Sequence, residues 1–289
     1  MILQLIISGL AIGSVYALLA LAMVLIHKAT DVVNFAQGEM AMFSTFLCFA
    51  LLHRLGVPFL LVFILSVPIG FLLGAVVERI IIQPIAGDPP VNLLIVTIGL
   101  WIIFNNLAGA IWGYDPYTFP SLFGAEPIEL FGARVSPNSL GMIVVAILVM
   151  GALYLFFEKT REGTAMRAAS MNRRAARLMG ISVPRVWMLS WGLAGAIGGI
   201  AGVLTAPITF LDFEMMVAVL LKAFAGAILG GFNSLPGAVV GGLTIGLLET
   251  LFGAMVSGTF KDTFAFGIII LVLMIKPTGL FGRSGIKKV

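Results

Sequence analysis

The sequence predicts an all-α integral membrane protein, a polytopic bundle of about eight or nine membrane segments with one broken or re-entrant helix near residues 33–52. Three observations carry that expectation. Hydrophobic residues fill 60% of the 289 positions and charged residues only 10%, against about 25% charged in ordinary soluble domains. Mean hydropathy is +1.13, and a single water-soluble core of this length cannot absorb that much apolar surface. The apolar residues also fall into runs near the about 20 positions that a helix needs to cross a bilayer core.

Taken in order, Ile2–Ile26 opens the chain as a retained span: no basic residue precedes it, and Lys28 follows it. The run is also longer than the about 7–15 apolar residues of a cleavable signal. Val33–Leu52 begins with Asn34, Phe35, Ala36, Gln37, Gly38 and Glu39 before a short apolar stretch, hence the expected break or re-entrance. Val57–Val77, Val91–Trp112, Leu140–Phe157, Trp187–Thr209 and Leu235–Val256 read as spans, with Met215–Gly231 and Thr263–Ile275 as shorter ones. Together they make one domain, 1–289. Glycines recur at small-xxx-small spacing in Gly9/Gly13, Gly70/Gly74, Gly195/Gly199, Gly198/Gly202, Gly226/Gly230, Gly237/Gly241 and Gly242/Gly246. Such spacing lets helix backbones approach closely where lipid removes the hydrophobic drive.

Charge sets the expected orientation. Glu158–Val186 holds Lys159, Arg161, Arg167, Arg173, Arg174, Arg177 and Arg185, and the tail holds Lys276, Arg283, Lys287 and Lys288 without an acid. Both are expected on the cytoplasmic side. The four segments between them are an even number, so the assignment is self-consistent. Gly113–Pro137, with Asp115, Glu126 and Glu129 against Arg134, reads as an external loop. The side of the N-terminus depends on whether Val33–Leu52 crosses. Tyr114, Tyr117, Trp101 and Trp112 suit interfacial belts, and Glu78–Arg79 suits a solvated boundary pair.

Several function classes are excluded. The net charge of +4 is a topology signal, concentrated between apolar runs, and not a nucleic-acid face. No GxxxxGK[ST] run is present, so this chain encodes no ATP site. Cys48 lies in an apolar segment and reads as a core thiol. His27 and His53, at span ends, do not make a metal site. No His/Asp/Glu cluster or activated Ser or Cys suggests an enzyme, and no cofactor is expected.

Within the basic loop, Thr164–Met179 reads as one helix stopped by Gly180 with Pro184 beyond. Ala165, Ala168, Ala169, Asn172, Ala175, Ala176 and Met179 share one face, and Arg167, Ser170, Arg174 and Arg177 another. Insertion into a protein groove and anchoring on the lipid surface both fit that pattern.

The stretch EKTREGTAMRAASMNRRAARLMGI resembles the cytoplasmic coupling loop of branched-chain amino acid ABC permeases at Thr160, Gly163, Ala165, Arg167, Ala168, Asn172, Ala175, Leu178, Gly180 and Ile181. GLAIGSVYALLALAMVLI with VVNFAQGEMAMF resembles that family's N-terminal signature, and KAFAGAILGGFNSLPGAVVGGLTIGLLE its late helical pair. With three blocks in order, the resemblance covers nearly the whole chain. It implies a bacterial inner-membrane permease for branched-chain amino acids or related small solutes. It also implies a second homologous permease subunit, two cytoplasmic ATPase subunits that bind ATP and Mg, and a periplasmic solute-binding protein. Gly163, Arg167, Ala168, Asn172, Ala175 and Gly180 would then form the ATPase coupling loop. Gln37 departs from the pattern, since many members carry His there; an amide cannot switch charge as imidazole does.

Polar residues inside the apolar runs are the remaining site candidates, because charge in a bilayer is costly. Asn34, Gln37 and Glu39 are expected to shape the translocation pathway or its gate. Lys222 and Glu249 lie about 15 and 21 Å from the turn that joins their segments, counting ~1.5 Å per residue. That puts them about one helical turn apart and makes mutual pairing the economical expectation; separate cavity-facing or partner-facing roles are the alternative. A gradient-driven secondary transporter is the competing function. It would also have broken helices and midplane charges, but it gives the Ala/Arg loop helix no docking partner.

Overall fold

The computed structural model describes residues 2–121, 123–124, 126–130, 133–276 and 278–282. The tail cations Arg283, Lys287 and Lys288 lie outside the described residues. Eleven helices are present among the described residues: α1 Ile2–Thr30, α2 Gln37–Arg54, α3 Phe59–Val77, α4 Pro90–Trp112, α5 Pro137–Lys159, α6 Arg161–Met171, α7 Arg173–Leu178, α8 Val183–Thr209, α9 Val217–Gly230, α10 Leu235–Met255 and α11 Lys261–Ile275. Six are long and apolar enough to cross a bilayer: α1, α3 with its extension to Ile85, α4, α5, α8 and α10; α9 is a shorter apolar helix. The protein is therefore an all-α, multi-pass membrane protein. In the most apolar window, 89% of α1 and 83% of α8 is buried within the protein, against 22% of α5.

The expected interruption lies one step earlier than the sequence places it. Residues 31–36 are non-helical, and from Gln37 to Arg54 helix α2 is continuous. Asn34 accounts for the break: its Oδ1 accepts the Ala36 N–H at 3.0 Å, a local turn that competes with helix. Between α4 and α5, β1 Ile128–Leu130 pairs antiparallel with β2 Ala133–Val135.

Two compact units are distinguished. One comprises residues 25–122 and 147–218. In it α8 packs on two neighbours through two glycine faces. Gly195 meets Gly70 of α3 backbone to backbone and Gly199 meets Ser66, while Gly198 and Gly202 meet Gln37, Ala41 and Thr45 of α2. A Cβ at Gly70 or Gly195 would collide with main chain, so these spacings are the physical basis of the close helix contact. The facing pairs also run α8 antiparallel to α3 and parallel to α2.

The other unit comprises residues 1–24, 123–146 and 219–289. Helices α9 and α10 form a hairpin with Gly226 against Gly241 and Gly242 and Gly230 against Gly237, and α10 turns Gly242 and Gly246 toward Ala17 and Gly13 of α1. Gly231 at φ +99° makes the turn, and Ser234 caps α10 by accepting the Gly237 N–H at 3.1 Å. The chain returns to this corner after α11, where Leu280 N donates to Leu229 O at 2.8 Å.

Candidate functional site

The first polar constellation is the buried start of α2. Asn34, Gln37 and Glu39 are each no more than 1% exposed. Asn34 Nδ2 donates to Gln37 Oε1 at 3.3 Å, and Gln37 Nε2 donates to the Ala194 carbonyl of α8 at 2.9 Å. The absent side chain of Gly198 leaves the space that the Gln37 amide occupies. Ala194 lies eleven residues into α8, so the N-terminal end of α2 sits about 16 Å along that helix at ~1.5 Å per residue. The Glu39 carboxyl lies beside Asn105 and Trp101 of α4, and its Oε2 has no hydrogen-bond partner among the described residues. Trp101 thus lies beside a buried carboxyl group. Trp112 likewise stacks on Phe46 at 5.0 Å.

The second constellation joins Lys222 of α9, Glu249 of α10, Asp262 of α11 and Tyr16 of α1. Lys222 Nζ stands 2.6 Å from Glu249 Oε1 and 2.7 Å from Asp262 Oδ1. Tyr16 OH donates to Glu249 Oε2 at 3.0 Å, and the ammonium lies 5.8 Å from the Tyr16 ring centre. The Lys222 and Glu249 side chains are 9% and 6% exposed, whereas Asp262 is 55% exposed. A buried cation is thereby bridged between one enclosed and one accessible carboxylate. The sequence places Lys222 and Glu249 about one helical turn apart in depth, within reach of each other, but does not include Tyr16 or Asp262. Asp262 immediately precedes the last apolar run; because α11 begins at Lys261, its first turn lies beside the end of α10.

The third is the loop after α5. Thr160 caps α6 by accepting the Gly163 N–H at 3.0 Å. Gly163 is buried, and a Cβ there would run into Phe156 O and Phe157 Cα. The expected single helix over Thr164–Met179 is two helices. Asn172 adopts an extended conformation (φ −156°, ψ 101°), and its Oδ1 accepts the Ala175 N–H at 3.0 Å, capping α7 instead of continuing α6. The expected small-residue face is divided accordingly: Ala169 and Ala176 are buried, Ala165 and Ala168 half-buried, and Asn172, Ala175 and Met179 exposed. Arg167 pairs with Glu158 at 2.5 Å and Arg185 with Glu162 at 3.1 Å, fixing α6 to the ends of α5 and α8. Gly180 ends α7 at φ +81°, in the left-handed region that favours glycine.

Glu78 corrects a sequence expectation. It is fully buried at the start of a π-type turn, Glu78–Ile82, and neither carboxylate oxygen has a hydrogen-bond partner among the described residues, while Arg79 donates to Gln83 Oε1 at 2.7 Å. Glu78 and Arg79 therefore do not form a solvated pair. Among the described residues, no group of three or more His, Cys, Asp or Glu side chains could hold a metal ion.

Comparison with known proteins places these features in a family. The model of the branched-chain amino acid transport system permease component matches residues 5–273. The chain is 33% identical to the high-affinity branched-chain amino acid transport system permease protein LivH of Escherichia coli strain K12, over 99% of this chain and 97% of the relative. It is 33% identical to BraD of Pseudomonas aeruginosa, another such permease, over 99% and 98%. Similarity extends to the fructose import permease FruG of Bifidobacterium longum, at 25% identity over 98% and 85%. No solved structure matches the chain. With the matched region running from α1 into α11, the chain belongs to the permease components of branched-chain amino acid transport systems, a family of transport proteins and not of enzymes.

Proposed function

We propose that this chain is the transmembrane subunit of an ATP-driven importer that moves branched-chain amino acids, or solutes of similar size, across a bacterial inner membrane. The full-length match to LivH and BraD carries the proposal. The chain pairs with a second homologous permease. Two ATPase subunits dock on residues 158–186 and bind ATP and Mg, and a periplasmic binding protein delivers the solute. No cofactor resides in this chain.

The topology follows from the basic loop. With residues 158–186 cytoplasmic, α8 runs outward and α3 inward, as their antiparallel glycine contact requires. The bond between Arg173 of that loop and Asp31 at the end of α1 supports an N-terminus on the outer side. Residues 31–54 then run outward: the non-helical link 31–36 reaches mid-bilayer and α2 completes the crossing. Helices α9, α10 and α11 run inward, outward and inward, giving nine membrane segments in one permease domain, an external loop at 113–137 and a cytoplasmic C-terminus.

Asn34, Gln37 and Glu39 stand at the midplane break and form part of the translocation pathway. Polar groups and interrupted helix in that position are tolerated where they line protein or a water-filled route. Gly163, Arg167, Ala168, Asn172, Ala175 and Gly180 build the docking element, with Met171, Leu178 and Met179 each more than 80% exposed for a protein partner. The test is uptake of tritiated leucine by cells that lack their own importers and express both permeases, the ATPase subunits and the binding protein. Uptake that stops on ATP depletion and survives an uncoupler supports the proposal. Uptake abolished by the uncoupler alone, with ATP intact, assigns the chain to gradient-driven transport.

A further inference from the structure

We propose that Arg173 is a positioning residue that ties the α6–α7 loop to the buried break before α2, so that displacement of the loop reaches Asn34, Gln37 and Glu39. The inference rests on the coupling role assigned above to residues 158–186. Arg173 opens α7 directly after the extended Asn172. Its Nη2 donates to Asp31 Oδ2 at 2.6 Å and to the Ala29 carbonyl at 3.0 Å, and the guanidinium carbon lies 5.4 Å from the ring centre of the buried Trp187. One planar group thus touches the end of α1, the first residue of the break and the first turns of α8.

Asp31 supplies an independent observation. Its φ is +60°, in the left-handed region that non-glycine side chains rarely adopt. It closes the C-terminal end of α1, its N–H donating to His27 O at 2.7 Å. Side chains held in that region persist where their surroundings over-determine them; here the surroundings are the guanidinium and the Ala29 carbonyl at the negative end of the α1 dipole. Five residues, 32–36, separate Asp31 from Gln37, which is itself bonded to Ala194 O at 2.9 Å. From the loop to mid-α8 the connection is therefore continuous: Arg173, Asp31, the link, Gln37 and Ala194. A lysine lacks the flat guanidinium that lies against the indole while it bonds both oxygens, and its compact ammonium on a flexible stem does not hold the three groups in that one plane.

The ion pair is partly exposed, 34% at Arg173 and 71% at Asp31, so its contribution to stability is small and its effect is expected on coupling. The experiment uses the full complex in proteoliposomes, with tritiated leucine as probe. Arg173→Ala, Arg173→Lys, Asp31→Gly and the Arg173→Ala/Asp31→Gly double variant are compared with the native protein. Asp31→Gly keeps the left-handed backbone at no cost and removes only the carboxylate.

The expected result is unchanged melting and unchanged co-purification of the ATPase subunits. Leucine moved per ATP falls about tenfold in every variant, and the double variant is no worse than either single one. Asp31→Gly coupling at the native ratio overturns the proposal, as does a double variant whose losses multiply. Loss of the ATPase subunits from Arg173→Ala overturns it as well, since Arg173 would then belong to the docking surface. Gly163→Trp separates the proposal from its premise: if that variant retains full ATPase binding and transport, the coupling role of the loop fails, whatever Arg173 does.

Discussion

Replacing Lys222 by methionine removes the cation from the α9–α10–α11 cluster while keeping side-chain length. Two ion pairs are lost, and they are not equivalent. Glu249, 6% exposed, keeps only the Tyr16 hydroxyl, whereas Asp262, 55% exposed, returns to water. Breaking a buried pair from one side costs about 3–5 kcal/mol, because the orphaned charge stays buried. An exposed pair contributes about 0–1 kcal/mol. Lys222→Met is therefore expected to destabilise by about 3–5 kcal/mol, and Asp262→Asn by at most about 1 kcal/mol. Lys222→Met/Glu249→Leu, which exchanges the pair for apolar groups, should lie within about 1 kcal/mol of the native protein. The assay is denaturation of the detergent-solubilised protein followed by tryptophan fluorescence, read as a double-mutant cycle. A Lys222→Met protein of native stability, or a double variant as unstable as the sum of its parts, refutes the assignment of the buried half as the dominant contact. In the assembled transporter, Lys222→Glu or Glu249→Lys alone should abolish uptake, and the double exchange should restore a measurable part of it.

Three further outcomes are expected. Gly163→Leu should remain in the membrane but lose solute-stimulated ATP hydrolysis, because its side chain meets the Phe156 carbonyl; native stimulation would leave the loop a topology anchor. Single cysteines at Ser170 and Ser121 should react with a membrane-impermeant thiol reagent only from the cytoplasm and only from outside, respectively, and labelling of the first from the periplasm reverses the topology. Gly195→Val, facing the Gly70 carbonyl, should lower the melting temperature and the yield of folded protein, whereas Gly151→Val, with open space around its Cβ position, should not.

How much was legible in the sequence varies with how local the controlling physics is. Apolar runs and glycine spacing are local, so Gly70/Gly74, Gly195/Gly199 and Gly198/Gly202 each meet a packed backbone neighbour in the structure. Depth counting along one hairpin is almost as local, and it brings Lys222 and Glu249 within about one helical turn of each other. Asp262 belongs to the next helix, and the side chain that reaches back is set by where α11 starts, a boundary that apolar content alone does not fix. Asn172 was missed for another reason: its spacing matches an Ala-rich helix, but its side chain can satisfy an N-terminal amide and so divides the helix in two. Glu78 looked like a boundary residue beside Arg79, and the π-type turn that carries it inward leaves no signature in residue type. The pairing of Ile128–Leu130 with Ala133–Val135 passed unnoticed because three-residue strands are too short for alternation to register.

The central claim is that this chain conducts solute on the free energy of ATP hydrolysed by partner subunits. Proteoliposomes containing the two permeases, with ATPase subunits and ATP inside and the binding protein with tritiated leucine outside, test it most directly. The account predicts accumulation above the external concentration, which disappears when internal ATP or the binding protein is omitted and is indifferent to a collapsed ion gradient. Accumulation by liposomes that contain this chain without ATPase subunits, driven by an imposed proton or sodium gradient, would contradict it.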